Sequence, residues 1–323
     1  MSFPTSRPRR LRVSQYIRDM TAETSLSVND LMYPIFVVHG KGIKKEISSM
    51  PNQYHWSIDM LDDLVKQVIN AGINSIMIFG IPATKDITSS ENYDPNGITQ
   101  QAIRKIKQLA PELVIATDVC MCSFTPHGHC GILDDNDYVD NDKTLEILQK
   151  TAISHAQAGA DIVAPSGMMD GMIIAMRQAL DQANFKNVSI MSYSVKYASS
   201  YYGPFRSACG SSLKGDRKTY QMDYRNKKEA IREALEDIEQ GADFIMVKPA
   251  LSYLDIINEL SHRINLPIVA YHVSGEYAMI KAAAKAGLVD EQEITIETLI
   301  SMKRAGAKII LTYSALDVAN LIR

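Results

Sequence analysis

The chain has 323 residues, of which 46% are apolar and 22% are charged, as expected of a globular protein with a substantial core. Its 34 basic and 37 acidic residues give a formal net charge of −3, which excludes a general attraction to nucleic acid or anionic membranes. No run approaches the roughly 18 apolar residues of a membrane span, and the Arg-rich start lacks the apolar segment of a secretory signal. We therefore expect a cytoplasmic protein.

The first segment of the chain, residues 1–30, carries five arginines before residue 19 and no strand-like run. We interpret it as an exposed arm that packs on another subunit, with Pro4 and Pro8 keeping it extended. The first apolar strand begins near Tyr33. We expect residues 31–323 to form a single catalytic domain.

Eight short apolar runs recur along the remaining chain, several of them preceded by a helix end and a glycine. They lie within residues 33–40, 70–81, 113–120, 157–166, 188–195, 239–249, 266–273 and 304–314. Between them lie segments with the 3.6-residue periodicity of helices, such as the one containing Leu61, Leu64, Val65, Val68 and Ile69, or the one with Leu145, Leu148, Ile153 and Ala156.

Strands that are apolar on both faces and alternate with helices predict a parallel sheet covered by helices. Eight such units over this length favour a closed (β/α)8 barrel, also called a TIM barrel. An open doubly wound sheet is the alternative, but no G-x-G-x-x-G motif follows the first strand.

A barrel of this kind places its chemistry at the carboxyl ends of the strands. Polar and reactive side chains gather at those positions: Asp118, Ser166, Tyr193, Lys196, Lys248, Tyr271, Ser274 and Tyr313. We therefore expect the active site at this end of the barrel.

Lys248 ends the apolar strand FIMVKP, where desolvation of an ammonium group would lower its pKa and free the amine to form a Schiff base with a ketone. The alternative is a lysine that extends from a strand end into water. Lys196 follows the preceding strand, so a second positive charge on the same rim would lower the pKa of Lys248 further. Two amines indicate two carbonyl substrates.

Cys120, Cys122 and Cys130 lie in the segment DVCMCSFTPHGHC after the third strand. Three thiols in a C-x-C-x7-C pattern differ from the closed four-ligand sites of zinc fingers and resemble a catalytic zinc site with an open position. The alternative is a group of buried, reduced cysteines. His127 and His129 could supplement the ligands, and the isolated Cys209 is not expected to belong to the set.

Residues 197–225 form a long connection without clear periodicity, which at a catalytic face is typical of a lid. Arg206 and Arg217 lie in this lid segment and are suited to bidentate capture of a carboxylate, although each alone could be a solvated loop residue. The aromatic side chains of the same segment, Tyr201, Tyr202, Phe205 and Tyr220, would line its inner face.

Together these motifs resemble the porphobilinogen synthase (5-aminolevulinate dehydratase) family. The resemblance is carried by DVCMCSFTPHGHCG, SVKYASSYYGPFR, GDRKTYQ, MVKPALSYLDI, YHVSGEYAM and RAGAKIILTYSA, in that order along nearly the whole chain. It implies condensation of two 5-aminolevulinate molecules to porphobilinogen with loss of water, in tetrapyrrole and haem biosynthesis, by a zinc-binding member of the family.

The resemblance also implies residue roles. Lys248 would form the Schiff base at the P site and Lys196 the one at the A site, with Asp118 assisting proton transfer. Arg206, Arg217 and Gln221 would hold the A-site carboxylate, Ser274 and Tyr313 the P-site carboxylate, and Cys120, Cys122 and Cys130 the Zn²⁺. Glu233 matches the position of an allosteric Mg²⁺, and the family assembles as homo-octamers through N-terminal arms.

The chain departs from the family pattern after its fourth strand, where APSGMMDGM stands in place of APSDMMDGR. Gly167 and Met172 thus replace an acidic and a basic residue. Losing a whole ion pair costs less than losing half of one. The change removes any local role of that pair.

Two other functions are consistent with parts of the pattern. A Schiff-base aldolase-type lyase on the same barrel would use Lys248 alone, with the cysteines structural. The other function is a non-catalytic, zinc-stabilised scaffold. It would not explain why the lysines and lid arginines lie at one face of the barrel.

Overall fold

The computed structural model describes residues 2–213 and 215–322. In these ranges the strands are β1 (Leu31–Val38), β2 (Lys44–Glu46), β3 (Tyr54–Ser57), β4 (Ser75–Ile81), β5 (Val114–Val119), β6 (Ile132–Leu133), β7 (Val139–Asp140), β8 (Ile162–Pro165), β9 (Ser189–Lys196), β10 (Phe244–Lys248), β11 (Ile268–His272) and β12 (Ile309–Thr312).

The α-helices are α1 (Gln15–Met20), α2 (Leu61–Asn70), α3 (Ile98–Leu109), α4 (Asn141–Ala158), α5 (Met172–Gln182), α6 (Gly203–Ala208), α7 (Lys227–Glu239), α8 (Leu254–Ser261), α9 (Ser274–Lys285), α10 (Glu291–Ala305) and α11 (Ala315–Leu321). Short 3-10 helices cover Pro8–Arg12, Val28–Asp30, Ile58–Met60, Ser90–Asn92, Ser200–Tyr202 and Leu251–Tyr253.

The central sheet is a closed parallel barrel, as the strand series predicts. Its strands run in the order β1, β4, β5, β8, β9, β10, β11 and β12, and β12 pairs back with β1. The closing pairs set Leu31 opposite Ile310 and Met32 opposite Leu311. A doubly wound open sheet is therefore excluded.

Two apolar layers hold the barrel together. Met77 and Phe79 of β4 point into the barrel interior, whereas Ile76 and Ile78 point outward against the helices. This alternation follows from the two-residue repeat of a strand. Each fully buried side chain of this size contributes about 1.5–3 kcal/mol.

Glycine ends the helices that precede several strands, as the repeated sequence pattern indicates. Gly159 follows α4 with φ 107° and Gly306 follows α10 with φ 117°. Only glycine adopts this left-handed region without strain. The chain therefore turns sharply from each helix into the next strand.

Helix α2 forms where the periodicity predicts it, with Leu61, Leu64, Val65 and Val68 buried. Ile69 belongs to the same predicted apolar face, yet it is 49% exposed. It lies at the edge of the apolar stripe, whereas the helix itself forms as the periodicity predicts.

The N-terminal segment is exposed but not extended. Pro8 begins a 3-10 helix, as is common for proline at a helix start, and α1 follows with Ser14 as its N-cap. The extended conformation expected from Pro4 and Pro8 is therefore wrong for this segment. Neither helix buries a residue.

Two hairpins and a lid helix were not predicted. β2 and β3 pair antiparallel, and β3 adds to the carboxyl end of β1 at the barrel mouth. β6 and β7 pair after the cysteine segment, and α6 lies in the predicted lid. Across residues 2–213 and 215–322, no helix combines the length and apolar character needed to cross a membrane.

Candidate active site

The two lysines predicted to act together lie side by side at the barrel mouth. Lys196 ends β9 and Lys248 ends β10, and the parallel register sets them directly opposite each other. Both are buried, with 3% and 6% of their surface exposed. The sequence prediction that adjacent strands bring two amines to one rim is confirmed.

Aromatic rings surround the Lys248 amine. Its Nζ lies 4.4 Å from the ring centre of Tyr271, 4.9 Å from that of Tyr193, and 5.3 Å from those of Tyr202 and Phe205. Desolvation, followed by the charge of Lys196, lowers the pKa of Lys248 to about 7. A large fraction of this amine is therefore unprotonated at neutral pH, as a nucleophile requires.

Lys196 is held by backbone rather than by an acid. Its Nζ donates a hydrogen bond of 2.5 Å to the carbonyl oxygen of Ser166, at the end of β8. The ring centre of Tyr193 lies 5.6 Å from the same Nζ. Tyr193 thus packs beneath both amines.

Asp118 is an acidic residue that interacts electrostatically with both amines. Burial and the neighbouring Cys122 raise its pKa to about 6, while Lys248, Lys196 and a hydrogen bond from Ser166 oppose the increase. Its Oδ1 is buried and has no hydrogen-bond partner among the described residues. A carboxyl with a pKa near neutrality can both accept and donate a proton.

A small cavity joins these groups beneath the lid. Its lining consists of Asp118, Cys122, Ser166, Lys196, Tyr202, Phe205, Arg206, Arg217 and Lys248. The volume is about 20 Å³, which is little more than the space of one water molecule. The lid must therefore move to admit a substrate.

Cys120, Cys122 and Cys130 form a cluster next to this cavity. Their Sγ atoms all lie within 4.8 Å of one another, and all three residues are buried. Hydrogen bonds from the Cys120 and Cys122 thiols hold the pKa of Cys130 well below its usual range, whereas the corresponding contacts raise that of Cys120. Three buried thiols this close together are a donor set that soft cations prefer.

The other candidate ligands stay outside the cluster. Among the described residues, the grouping contains neither histidine nor Cys209. The Nδ1 of His127 accepts a bond from the backbone N–H of His129, and the Nδ1 of His129 lies 3.1 Å from the Tyr220 hydroxyl. The two histidines thus shape the loop that carries Cys130.

Two buried amide side chains, Asn92 and Gln100, support the cysteine loop through hydrogen bonds to backbone. The sequence pattern did not predict this contact. Asn92 donates to the carbonyl oxygen of Cys120 at 3.1 Å, and Gln100 donates to the carbonyl oxygen of Asn92 at 2.9 Å. The two residues lie near the start of α3, far from the cysteines in sequence. No local motif marks such a contact.

The lid arginines point toward the cavity. Arg217 donates to the carbonyl oxygen of Gly128 at 2.7 Å, so it also ties the lid to the cysteine loop. The buried Nε atoms of Arg206 and Arg217 have no partner in the part of the chain that is described. Gln221 likewise has an unpartnered buried amide, but it lines an adjoining open cleft rather than the small cavity.

Ser274 begins α9, and Tyr313 directly follows β12, at the carboxyl end of the barrel. The Ser274 hydroxyl accepts from the N–H of Phe205 at 3.0 Å, at the base of the lid. The Tyr313 hydroxyl lies 2.8 Å from that of Tyr271, whose ring contacts Lys248. Tyr271 thus connects Tyr313 to Lys248. Phe205, whose ring also faces the Lys248 amine, connects Ser274 to it.

Glu233 lies apart from the lysines, in a cavity of about 120 Å³ that it shares with Asp170, Glu236 and Asp237. Burial and these acids raise the pKa of Glu233 to about 7. Met172 lines the same cavity, and no basic side chain does so within the described ranges. The Arg232 guanidinium pairs with Glu233 at 3.6 Å and with Glu236 at 3.7 Å from outside that lining.

Comparison with known proteins gives a consistent result. The delta-aminolevulinic acid dehydratase family profile matches residues 5–321. The Halalkalibacterium halodurans protein named delta-aminolevulinic acid dehydratase is 55% identical over 315 residues, covering 97% of this chain and 96% of that one. The Bacillus subtilis protein of the same name is 52% identical and covers 99% of both chains.

A solved structure has the same fold throughout. It is the delta-aminolevulinic acid dehydratase (porphobilinogen synthase) of Toxoplasma gondii, in complex with the reaction product porphobilinogen. Its TM-score is 0.95 at 42% identity, with 98% of this chain and 91% of that chain covered. Since sequence and structure agree over nearly the whole chain, this protein belongs to the delta-aminolevulinic acid dehydratase family and is a hydro-lyase on a (β/α)8 barrel.

Proposed function

We propose that the chain condenses two molecules of 5-aminolevulinate to porphobilinogen with loss of water, in the formation of tetrapyrroles and haem. The main support is the register of β9 with β10, which sets Lys196 opposite Lys248. Two ketone substrates need two amines within reach of one another. Family membership supports the same reaction.

Lys248 is proposed to bind the P-site substrate and Lys196 the A-site substrate. Each amine attacks a ketone carbon, and the resulting imine forms as water leaves. Deprotonation of the carbon next to an imine requires a base close by, and Asp118, which lines the same cavity as the two amines, is suited to that proton transfer. Later release of product returns both lysines to free amines.

The substrate carboxylates are proposed to bind to separate sets of donors. Arg206 and Arg217, with Gln221 beside them, supply donors for the A-site carboxylate, and their unpartnered buried nitrogens support this role. Ser274 and Tyr313 supply hydroxyl donors for the P-site carboxylate. The lid would close over both.

The three cysteines are proposed to hold Zn²⁺. A buried set of three Sγ atoms within 4.8 Å of one another suits a soft, borderline cation and leaves one position open. When bound there, zinc supplies Lewis-acid or hydroxide chemistry at the A-site substrate. Because Cys122 lines the lysine cavity, the metal site and the amines share one compartment.

Three further properties follow from the family and are proposed for this chain. Glu233 and its acidic neighbours would hold a regulatory Mg²⁺, supported by the acidic cavity. The N-terminal arm would mediate assembly into a homo-octamer. The location would be cytoplasmic.

The direct test is an assay of pyrrole formation from 5-aminolevulinate with an aldehyde colour reagent. We expect pyrrole from the zinc-loaded protein, none after chelation, and recovery when zinc is restored. The circular dichroism spectrum should hardly change on chelation, because the barrel strands are held by their own closed parallel pairing. Absence of pyrrole from zinc-loaded protein would rule out the proposed function and leave an aldolase-type lyase.

A further inference from the structure

Glu276 is a buried carboxylate that the proposed reaction does not use. It lies in the first turn of α9 and is only 2% exposed. Its Oε2 accepts the backbone N–H of Val273, and its Oε1 accepts the backbone N–H of Leu251, both at 2.8 Å. The backbone N–H groups of Ala250 and Ser252 also face this carboxylate.

The two backbone segments that Glu276 joins carry groups proposed to bind one substrate. Residues 249–253 directly follow Lys248 at the end of β10. Val273 directly precedes Ser274, the proposed carboxylate donor. One side chain thus connects the peptide that carries the imine-forming amine with the peptide that carries the carboxylate donor.

This connection is stronger than an exposed ion pair. A carboxylate that accepts several backbone N–H groups forms charge-assisted bonds to atoms that cannot rotate away. Burial raises the pKa of Glu276 to about 7, and the four backbone amides oppose that increase. No ion pair among the described residues involves Glu276, so its bonds go to the backbone of these two loops.

We propose that Glu276 is a positioning residue that sets the separation between the Lys248 amine and the Ser274 hydroxyl, and thereby selects the chain length of the keto acid bound there. The inference rests on the proposed function, because it takes Lys248 and Ser274 as the two ends of the P site. The ketone of a bound keto acid must reach the Lys248 amine while its carboxylate reaches the Ser274 hydroxyl. A change in the spacing of these two groups therefore slows imine formation with a keto acid of one chain length and favours it with another.

The test compares imine trapping in Glu276→Gln and Glu276→Asp with wild type. The probes are 3-oxobutanoate, 4-oxopentanoate and 5-oxohexanoate, which differ by one methylene each, and acetone, which has no carboxylate. Borohydride reduction followed by peptide mass analysis measures the labelling of Lys248. Asp290→Asn serves as the matched control, because the Asp290 carboxylate caps α10 through the N–H of Glu293 alone.

We expect wild type and Asp290→Asn to prefer 4-oxopentanoate. In Glu276→Gln this preference should fall by about tenfold or more, while labelling by acetone stays near the wild-type rate. Glu276→Asp keeps the charge but shortens the side chain, so it should shift the preference among the three acids. If Glu276→Gln does not fold, the preference of Glu276→Asp among the three acids still tests the inference.

Unchanged preference in both variants would overturn the inference, as would an equal loss of labelling with acetone and the keto acids. Failure of the wild-type enzyme to be labelled at Lys248 by any keto acid would instead count against the proposed function. The two failures are thus distinguishable.

Discussion

The lysine pair shows how one side chain sets the reactivity of another. Lys248 is enclosed by aromatic rings and lies opposite Lys196, and both features lower its pKa. Desolvation is the larger cause, and the charge of Lys196 is the next. The second amine thus has an effect on catalysis besides any bond that it forms itself.

Lys196→Met should raise the pKa of Lys248, because it removes a neighbouring positive charge. The amine of wild-type Lys248 becomes free as the pH rises through about 7, so the midpoint of the pH profile for borohydride trapping with 4-oxopentanoate should move upward in the variant. Lys66→Met, on the exposed side of α2, is the control and should leave the midpoint unchanged. An unchanged or lower midpoint in Lys196→Met would contradict this explanation.

Asn92→Ala should weaken metal binding at the cysteine cluster, because it removes the hydrogen bond that fixes the Cys120 carbonyl. Loss of such outer contacts typically lowers metal affinity about 10–100-fold. Competition with a chromogenic chelator measures the affinity. Asn96→Ala in the same connection, where the side chain is exposed, should match wild type. Equal zinc affinity in Asn92→Ala and wild type would show that the amide is dispensable.

At the scale of elements, the base of the lid packs tightly on the start of α9. A Cβ added to Gly275 would lie 2.4 Å from the Tyr201 carbonyl oxygen and 2.7 Å from the Tyr201 Cα. These are backbone atoms, so the lid base itself would have to shift. The neighbouring Ser274 hydroxyl, which accepts the Phe205 N–H, would lose its alignment.

Gly275→Ala should therefore lower the free energy of unfolding by about 1–3 kcal/mol and weaken binding of 4-oxopentanoate. Gly167→Ala is a suitable control, because a Cβ there meets its nearest atom at an ordinary 3.7 Å. Thermal unfolding and ligand titration of the two variants provide the comparison. If Gly275→Ala behaved like Gly167→Ala, the close contact would not constrain the lid.

The sequence predicted elements well where the signal is local. Strand runs, helix periodicity and the stop glycines Gly159 and Gly306 depend on neighbouring residues, so the barrel could be derived from them. The lid helix α6 was missed, because Pro204 and the surrounding glycine and aromatic residues carry no helical periodicity. Asn92 and Glu276 were missed because their partners are distant in sequence.

At the scale of the whole molecule, the N-terminal arm exposes unusually many large apolar side chains. Exposed fractions are 74% for Phe3, 57% for Leu11, 70% for Val13, 87% for Tyr16 and 79% for Met20. Apolar side chains gathered on one exposed segment mark an interaction surface. This supports assembly through the arm.

Deletion of residues 2–20 should reduce the mass of the assembly measured by light scattering, and it should leave the far-ultraviolet circular dichroism of the barrel nearly unchanged. The reason is that the two arm helices bury none of their residues against the barrel. Lys66→Met again serves as the control. An assembly of wild-type mass after the deletion would exclude the arm as the main contact.

The proposed reaction requires that both Lys196 and Lys248 form imines with the substrate. The most direct measurement is peptide mass mapping of the zinc-loaded enzyme after borohydride reduction in the presence of 5-aminolevulinate. We predict substrate-derived adducts on both lysines. In Lys248→Met, Lys196 should still be labelled, and no other lysine should acquire the label that Lys248 carries in wild type. Adducts on neither lysine, or on a lysine outside the barrel mouth, would contradict this two-imine mechanism.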